Sequence, residues 1–262
     1  MARLDLDKLF NSPPPKASWI IKDLVSSGQM ITFGGEAAIG KSIFGYHLSM
    51  CISSGKSFLG KDTRSGNVVI FDEENGRPEL GRYLWDAWDG LKRPDIATLG
   101  VRMRVESFSL ATEKDPYVAM RTIVAEHKPI LIIIDTVTPV CRLLNENDNA
   151  EATAAIQKLR SVKAEGDPDA AMLMLKHTKK DDYGNIILRG AKAWVGASDG
   201  MWIHHAKGGR KRRDGLRNTF INPEKVRAYG LPYEIKIMPE RTSRGGLVLH
   251  CDWVPASDEF DK

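Results

Sequence analysis

Between residues 29 and 176, short apolar runs alternate with longer segments whose apolar positions recur at helical spacing. The runs predict strands at 29–33, 67–72, 101–107, 130–135 and 170–175. The longer segments predict helices at 41–54, 78–91, 116–127 and 150–163. Pro78 suits a first helical turn, where a missing N–H costs nothing. The stretch 130–134 is apolar throughout, as in a strand covered on both faces. This alternation predicts an α/β fold: a mostly parallel central sheet with helices on both sides. After residue 176 the rhythm changes. Segments 201–205, 218–222, 233–238 and 247–253 are β-rich with no helical stretch between them, which predicts an antiparallel C-terminal edge on the same sheet. Residues 1–18, with Pro13, Pro14 and Pro15, read as an arm or linker, 19–255 as one folded domain and 256–262 as a tail.

Composition narrows the class. With 262 residues, 42% hydrophobic and 27% charged, the chain can bury a core without covalent staples. Cys51, Cys141 and Cys251 lie far apart and form no zinc-type spacing, which argues against a disulfide scaffold or zinc finger and for a reducing compartment. No apolar run nears the roughly 18 residues that would suggest a membrane span, and the first residues lack a signal-peptide pattern. A cytoplasmic protein without membrane association is expected. The net charge of +4 is uneven, because residues 207–217 hold six basic side chains and one acidic one. A single basic loop on a near-neutral chain points less firmly to nucleic acid than a basic face would.

The most specific chemical signal is Gly35-Glu36-Ala37-Ala38-Ile39-Gly40-Lys41-Ser42, followed by Ile43. It fits G-x-x-x-x-G-K-[ST] and falls between a predicted strand and a predicted helix. Glycines there let backbone N–H groups turn toward phosphate oxygens, Lys41 can reach the β- and γ-phosphates, and the Ser42 hydroxyl can ligate Mg²⁺. A glycine-rich turn before an ordinary helix is the bland alternative. Asp135 closes the apolar run at 130–134, where a carboxylate can hold the Mg²⁺ shell in the Walker B manner or simply cap a strand. Hydrolysis also needs a carboxylate for water, and Phe71-Asp72-Glu73-Glu74 places three acids at the end of a strand. A solvated turn is the other reading of that triplet. ATP and Mg²⁺ are the expected cofactors.

These residues and their order resemble the RecA superfamily of P-loop ATPases, rather than the AAA+ or small GTPase branches. The nearest likeness is to replicative hexameric helicases, DnaB-related and especially the RepA-like plasmid and phage type. The resemblance implies a RecA-like ATPase domain over 19–255, with Glu74 as catalytic carboxylate and Glu73 as runner-up. Leu175-Lys176-His177-Thr178-Lys179-Lys180 resembles the family's γ-phosphate sensor, which implies that role for His177. Leu188-Arg189-Gly190-Ala191-Lys192 resembles the stretch next to the channel-facing loop, which implies DNA contacts for Lys179, Lys180, Arg189 and Lys192. Glu224-Lys225-Val226-Arg227-Ala228-Tyr229-Gly230 resembles the K-x-R-x-G element, implying Arg227 as an arginine finger in a neighbour's site with Lys225 beside it. The implied partners are single-stranded DNA and further copies of the chain in a hexameric ring, with a replication initiator or primase left open. The alternatives are a regulatory or recombination-accessory ATPase without unwinding, and a nucleotide-switched binding module without turnover.

Several features are expected to be structural. Trp85 and Trp88, at i and i+3, read as packing residues, and Met172 and Met174 as core. His204 and His205 must point to opposite faces of a strand and cannot share a metal. The glycine-bounded basic loop reads as a hairpin tip, able to meet phosphate backbone or merely solvated.

Overall fold

The structure is a computed structural model and describes residues 6, 10–11, 17–107, 113–183, 185–190, 192–207, 215–226 and 233–255. Its strands are β1 (Trp19–Ile21), β2 (Val25–Ser26), β3 (Met30–Gly35), β4 (Val68–Asp72), β5 (Met103–Ser107), β6 (Leu131–Asp135), β7 (Ala171–Lys180), β8 (Ile186–Leu188), β9 (Gly200–His205), β10 (Thr219–Val226), β11 (Tyr233–Arg241) and β12 (Leu247–Pro255). Its helices are α1 (Lys41–Ser54), α2 (Arg77–Gly90), α3 (Ile96–Arg102), α4 (Pro116–His127), α5 (Val137–Val140), α6 (Asn149–Ala164) and α7 (Ala193–Ala197). The main sheet runs β12-β11-β10-β9-β3-β7-β6-β4-β5, and β8 pairs with β7 alone. From β9 to β5 along this order every pairing is parallel, while β9 through β12 pair antiparallel. The predicted fold class is therefore found: a P-loop NTPase-type core with an antiparallel C-terminal edge.

Strand alternation divides the core into two layers. Ile31, Phe33, Ile133, Leu173 and Leu175 face α1 and α2 on one side. Met30, Ile132, Ile134, Met172 and Met174 face α4, α5, α6 and α7 on the other. Because β3, β6 and β7 are covered on both faces, their sequences up to the site are apolar apart from Thr32. Each charged residue that follows such a run emerges at the same edge.

The structure departs from the sequence reading in identifiable places. Val101 and Arg102 close α3 instead of opening a strand, so β5 starts only at Met103. Asp95 starts that helix by accepting hydrogen bonds from the backbone and hydroxyl of Thr98, at 2.7 Å each. β7 continues to Lys180 because β8 folds back along it, pairing Thr178 with Leu188. The β1–β2 ribbon and the short helices α5 and α7 carry too few residues for a periodic signal. Among the described residues, no helix is long and apolar enough to cross a membrane.

Candidate nucleotide site

Five parallel strands reach the same edge of the sheet. Gly35 on β3 is level with His177 on β7 and His204 on β9, and Asp72 on β4 is level with Asp135 on β6. The loop after β3 turns sharply into α1 through Ala38 (φ 57°) and Gly40 (φ 108°), the second a backbone conformation that favours glycine. A Cβ on Gly35 would meet Ile39 Cγ2 at 2.9 Å and the His204 carbonyl oxygen at 3.0 Å, so this position also requires glycine. Glu36, Ala37 and Ala38 are exposed on the loop, Ile39 is buried beneath it, and Ser42 and Ile43 are partly buried in the first turn of α1. The opening N–H groups of a helix have no intrahelical partner and favour an anion at this end. The Lys41 ammonium is buried and donates to the Gly35 and Glu36 carbonyls, at 2.9 Å each. Burial lowers its pKa, opposed by the nearby carboxylates of Asp135 and Glu74.

The acidic residues separate by hydrogen-bonding capacity. Asp72 is fully buried and saturated: Oδ2 accepts from Tyr46 Oη at 3.0 Å and Asn75 Nδ2 at 2.9 Å. Its Oδ1 accepts the backbone N–H groups of Asn75 at 2.8 Å and Glu74 at 3.1 Å. Asp135 is 1% exposed, and among the described residues its Oδ1 has no hydrogen-bond partner of ordinary geometry. Burial, then the adjacent Asp72 carboxylate, push its pKa up to about 7, while the Ser42 hydroxyl favours the charged form. A buried carboxylate with an open oxygen beside a hydroxyl is a donor set for a hard divalent cation that keeps several waters. Such an ion needs no cage of three or more protein carboxylates or imidazoles, and the described residues contain none.

Glu74 is turned toward the same edge. Its Oε2 accepts from Thr136 Oγ1 at 2.8 Å, and its Oε1 lies 3.3 Å from His177 Nε2. The His177 contact holds the Glu74 carboxyl below the usual range, against a smaller opposing effect of burial. The Glu73 backbone N–H donates to the Asp135 carbonyl at 2.9 Å, tying β4 to β6 just before the turn. Lys41, Ser42, Glu74, Asp135 and His177 are thus brought together.

The remaining candidates lie elsewhere. Lys179 and Lys180 are exposed where β7 extends beyond His177, and Lys192 is exposed before α7. Arg189 is engaged within the chain, forming an ion pair with Glu146. The Lys225 ammonium donates to the Val195 and Gly196 carbonyls at the end of α7. Arg227 and most of the basic loop, residues 208–214, lie outside the described residues. Trp88 packs as expected, half-buried with its ring 5.3 Å from that of Trp85 and its indole N–H donating to the Pro94 carbonyl, but Trp85 is 46% exposed and lines with it an open apolar groove between α2, α3 and β5. Arg93 lies over both rings.

Sequence reasoning missed Tyr46, Asn75 and Thr136, and a cavity of about 140 Å³ beside the loop. Its lining includes Ile39, Ile43, His204, Leu216, Arg217 and Pro239. His204 stacks on Phe33 at 5.5 Å, and its Nε2 is 2.7 Å from Thr219 Oγ1. A hydroxyl directly after the strand-ending Asp135 was the available signal for Thr136. The cavity had none, because its walls come from α1, the loop before it and four distant strands, β9 to β12.

No curated protein matches the chain. A family profile described as an AAA domain matches residues 1–183, more than half of the 262. The match spans the glycine loop, the β4 acids, Asp135 and His177. The chain belongs to this AAA domain family, and it is a nucleotide-dependent ATPase of the P-loop type.

Proposed function

We propose that the protein is a Mg²⁺-dependent ATP hydrolase that assembles as a ring, in the manner of the RepA-like helicases, and translocates on single-stranded DNA in replication. The observation that carries the hydrolase reading is the meeting at one sheet edge of Lys41, Ser42, the open oxygen of Asp135, and Glu74 held by Thr136 and His177. In this reading the backbone from Gly35 to Gly40 and the Lys41 ammonium hold the phosphates, and Ser42 with Asp135 holds the Mg²⁺ shell. The bound metal neutralises charge on the phosphate oxygens. Glu74 orients a water toward the γ-phosphorus. Its depressed pKa suits orientation better than early proton abstraction. His177, in contact with Glu74, reports whether the γ-phosphate is present. The cavity lined by Ile39, Ile43, Arg217 and Pro239 takes the nucleobase.

The ring and DNA parts rest on the family resemblance and on placement. Lys179 and Lys180 extend beyond His177 on the same strand, so a change at the phosphate has a short path to exposed cations. Lys192 adds a third exposed cation, and Arg189 joins them only by leaving Glu146. Arg227, with Lys225, completes the site of the next subunit and stabilises charge on the departing phosphate. Two measurements test this reading: strand displacement on a forked DNA duplex, and ATP turnover by the Arg227→Ala variant. The expected results are ATP-dependent unwinding by the parent chain, and an Arg227→Ala protein that binds ATP and does not hydrolyse it. Full turnover by Arg227→Ala removes the finger assignment. DNA-stimulated turnover without displacement reduces the role to that of an accessory ATPase.

A further inference from the structure

We propose that Asp72 is a positioning residue for the hydrolytic water, fixing Glu74 to the phosphate-loop helix through Tyr46. The inference rests on the reading of Glu74 as the carboxylate that orients that water.

Asp72 is as buried as Asp135 and sits level with it on the neighbouring strand, yet the two are built for different work. Every acceptor direction of Asp72 is taken. Tyr46 Oη, Asn75 Nδ2 and the N–H groups of Glu74 and Asn75 surround it. A carboxylate so filled has no lone pair left for a metal or a water. Its effect passes instead to the residues that donate to it. The two backbone bonds to Oδ1 close a tight turn over residues 72–75, and Glu74 is the exposed corner of that turn. Once the turn is closed, Glu74 reaches Thr136 Oγ1 and His177 Nε2 together.

Tyr46 supplies the other end of the connection. It lies in α1, the helix that opens with Lys41 and Ser42, and is 1% exposed with its ring 5.7 Å from that of Tyr83. Its hydroxyl is the one contact from α1 to Asp72 among the described hydrogen bonds. The helix that holds the phosphate loop and the turn that carries Glu74 are therefore joined through one buried carboxylate. Asn75 keeps that carboxylate apart from Asp135, with its Nδ2 bonded to Asp72 and 3.5 Å from Asp135 Oδ2. Two adjacent buried acids are thereby divided, one to shape the turn and one to face the cation site.

Four variants test the proposal: Tyr46→Phe, Asp72→Asn, Glu74→Gln, and the Asp72→Asn/Glu74→Gln double. Asp72→Asn keeps the shape and turns one acceptor into a donor, which then faces Tyr46 O–H or the N–H groups of the turn. Tyr46→Phe removes a single hydroxyl and guards against a general failure to fold. For each, kcat and KM for ATP are measured, with ADP affinity in the presence and absence of aluminium fluoride, a mimic of the transferring phosphoryl group. ADP-binding stoichiometry gives the folded fraction. Misplacement of a catalytic group by an ångström can cost about 100-fold. The expectation is a kcat lowered roughly 10- to 100-fold in Asp72→Asn and several-fold in Tyr46→Phe, with KM and ADP affinity held within about twofold. The extra affinity conferred by aluminium fluoride should fall in parallel. In the Glu74→Gln background, Asp72→Asn should cost nothing more, because it acts through Glu74.

Turnover within twofold of the parent in both single variants overturns the proposal, as does a full additive loss in the double. Loss of ADP affinity together with kcat also overturns it, because the role is then general support of the site. A parent chain no more active than Lys41→Ala is a different failure, which removes the hydrolase reading itself.

Discussion

At the scale of single residues, the chemistry is decided by which buried polar groups are satisfied. Among the described residues, Lys41 donates to its own loop carbonyls and Asp135 keeps one oxygen open. Lys41→Ala should abolish turnover, and Glu74→Gln should retain ATP binding while losing about 100-fold or more in kcat, the scale of loss when a reacting group is misplaced. Nucleotide affinity measured beside turnover separates the two. His204 gives a pH prediction. Burial drives its pKa down to about 3, from an unfolded value near 6.5. Between those values the unfolded chain binds the proton and the folded chain does not, so stability is fully present above about pH 6.5 and is lost as pH falls toward 3. The loss should amount to a few kcal/mol, with buried His47, also shifted downward, adding in the same direction. Denaturation midpoints across pH 4 to 7 should show a shallower slope in His204→Gln, and an unchanged slope would contradict the assignment. What was legible here was contiguous: the glycine loop and Asp135 can be read from neighbours in sequence. Tyr46 could not be, because its contact with Asp72 is one that only the fold creates, and neither could the position of Asn75 between Asp72 and Asp135.

At the scale of elements, parallel strands covered on both faces explain why the alternation of strand and helix was readable, and why its edges were not. β3, β6 and β7 are buried along their lengths up to the site, so their limits coincide with changes in hydrophobicity. β5 is an edge strand of half-buried residues beside a helix with none buried, so the boundary between them leaves no hydrophobic signal. The hairpin of β7 and β8 packs over the phosphate-loop strand through Leu188. A Cβ on Gly34 would collide with Leu188 and approach Ile203 Cδ1 to 2.9 Å. Gly34→Ala should therefore cost about 1–3 kcal/mol, the usual range for overpacking, and the denaturant midpoint will show it. A midpoint equal to the parent's would mean that β8 yields easily. Trp194, fully buried in α7 against the β7 face, is a second test of packing. Trp194→Ala should lose about 3–5 kcal/mol.

At the scale of the whole molecule, the phosphate loop, the β4 turn, the end of β6 and His177 occupy one edge of one sheet. The exposed lysines of β7 lie just beyond it. On the motor reading hydrolysis must be felt by whatever is held, and a single strand runs from His177 to Lys180. On the ring reading, gel filtration with light scattering should find assemblies of several copies in the presence of ATP, and a monomer under all conditions would contradict it. DNA affinity should fall with added salt, because phosphate contacts release counterions. The measurement that bears most directly on the central claim is steady-state ATP hydrolysis with and without single-stranded DNA, set against the Lys41→Ala protein. The account predicts Mg²⁺-dependent turnover well above that blank, increased by DNA. Turnover no higher than the blank in either condition would contradict it.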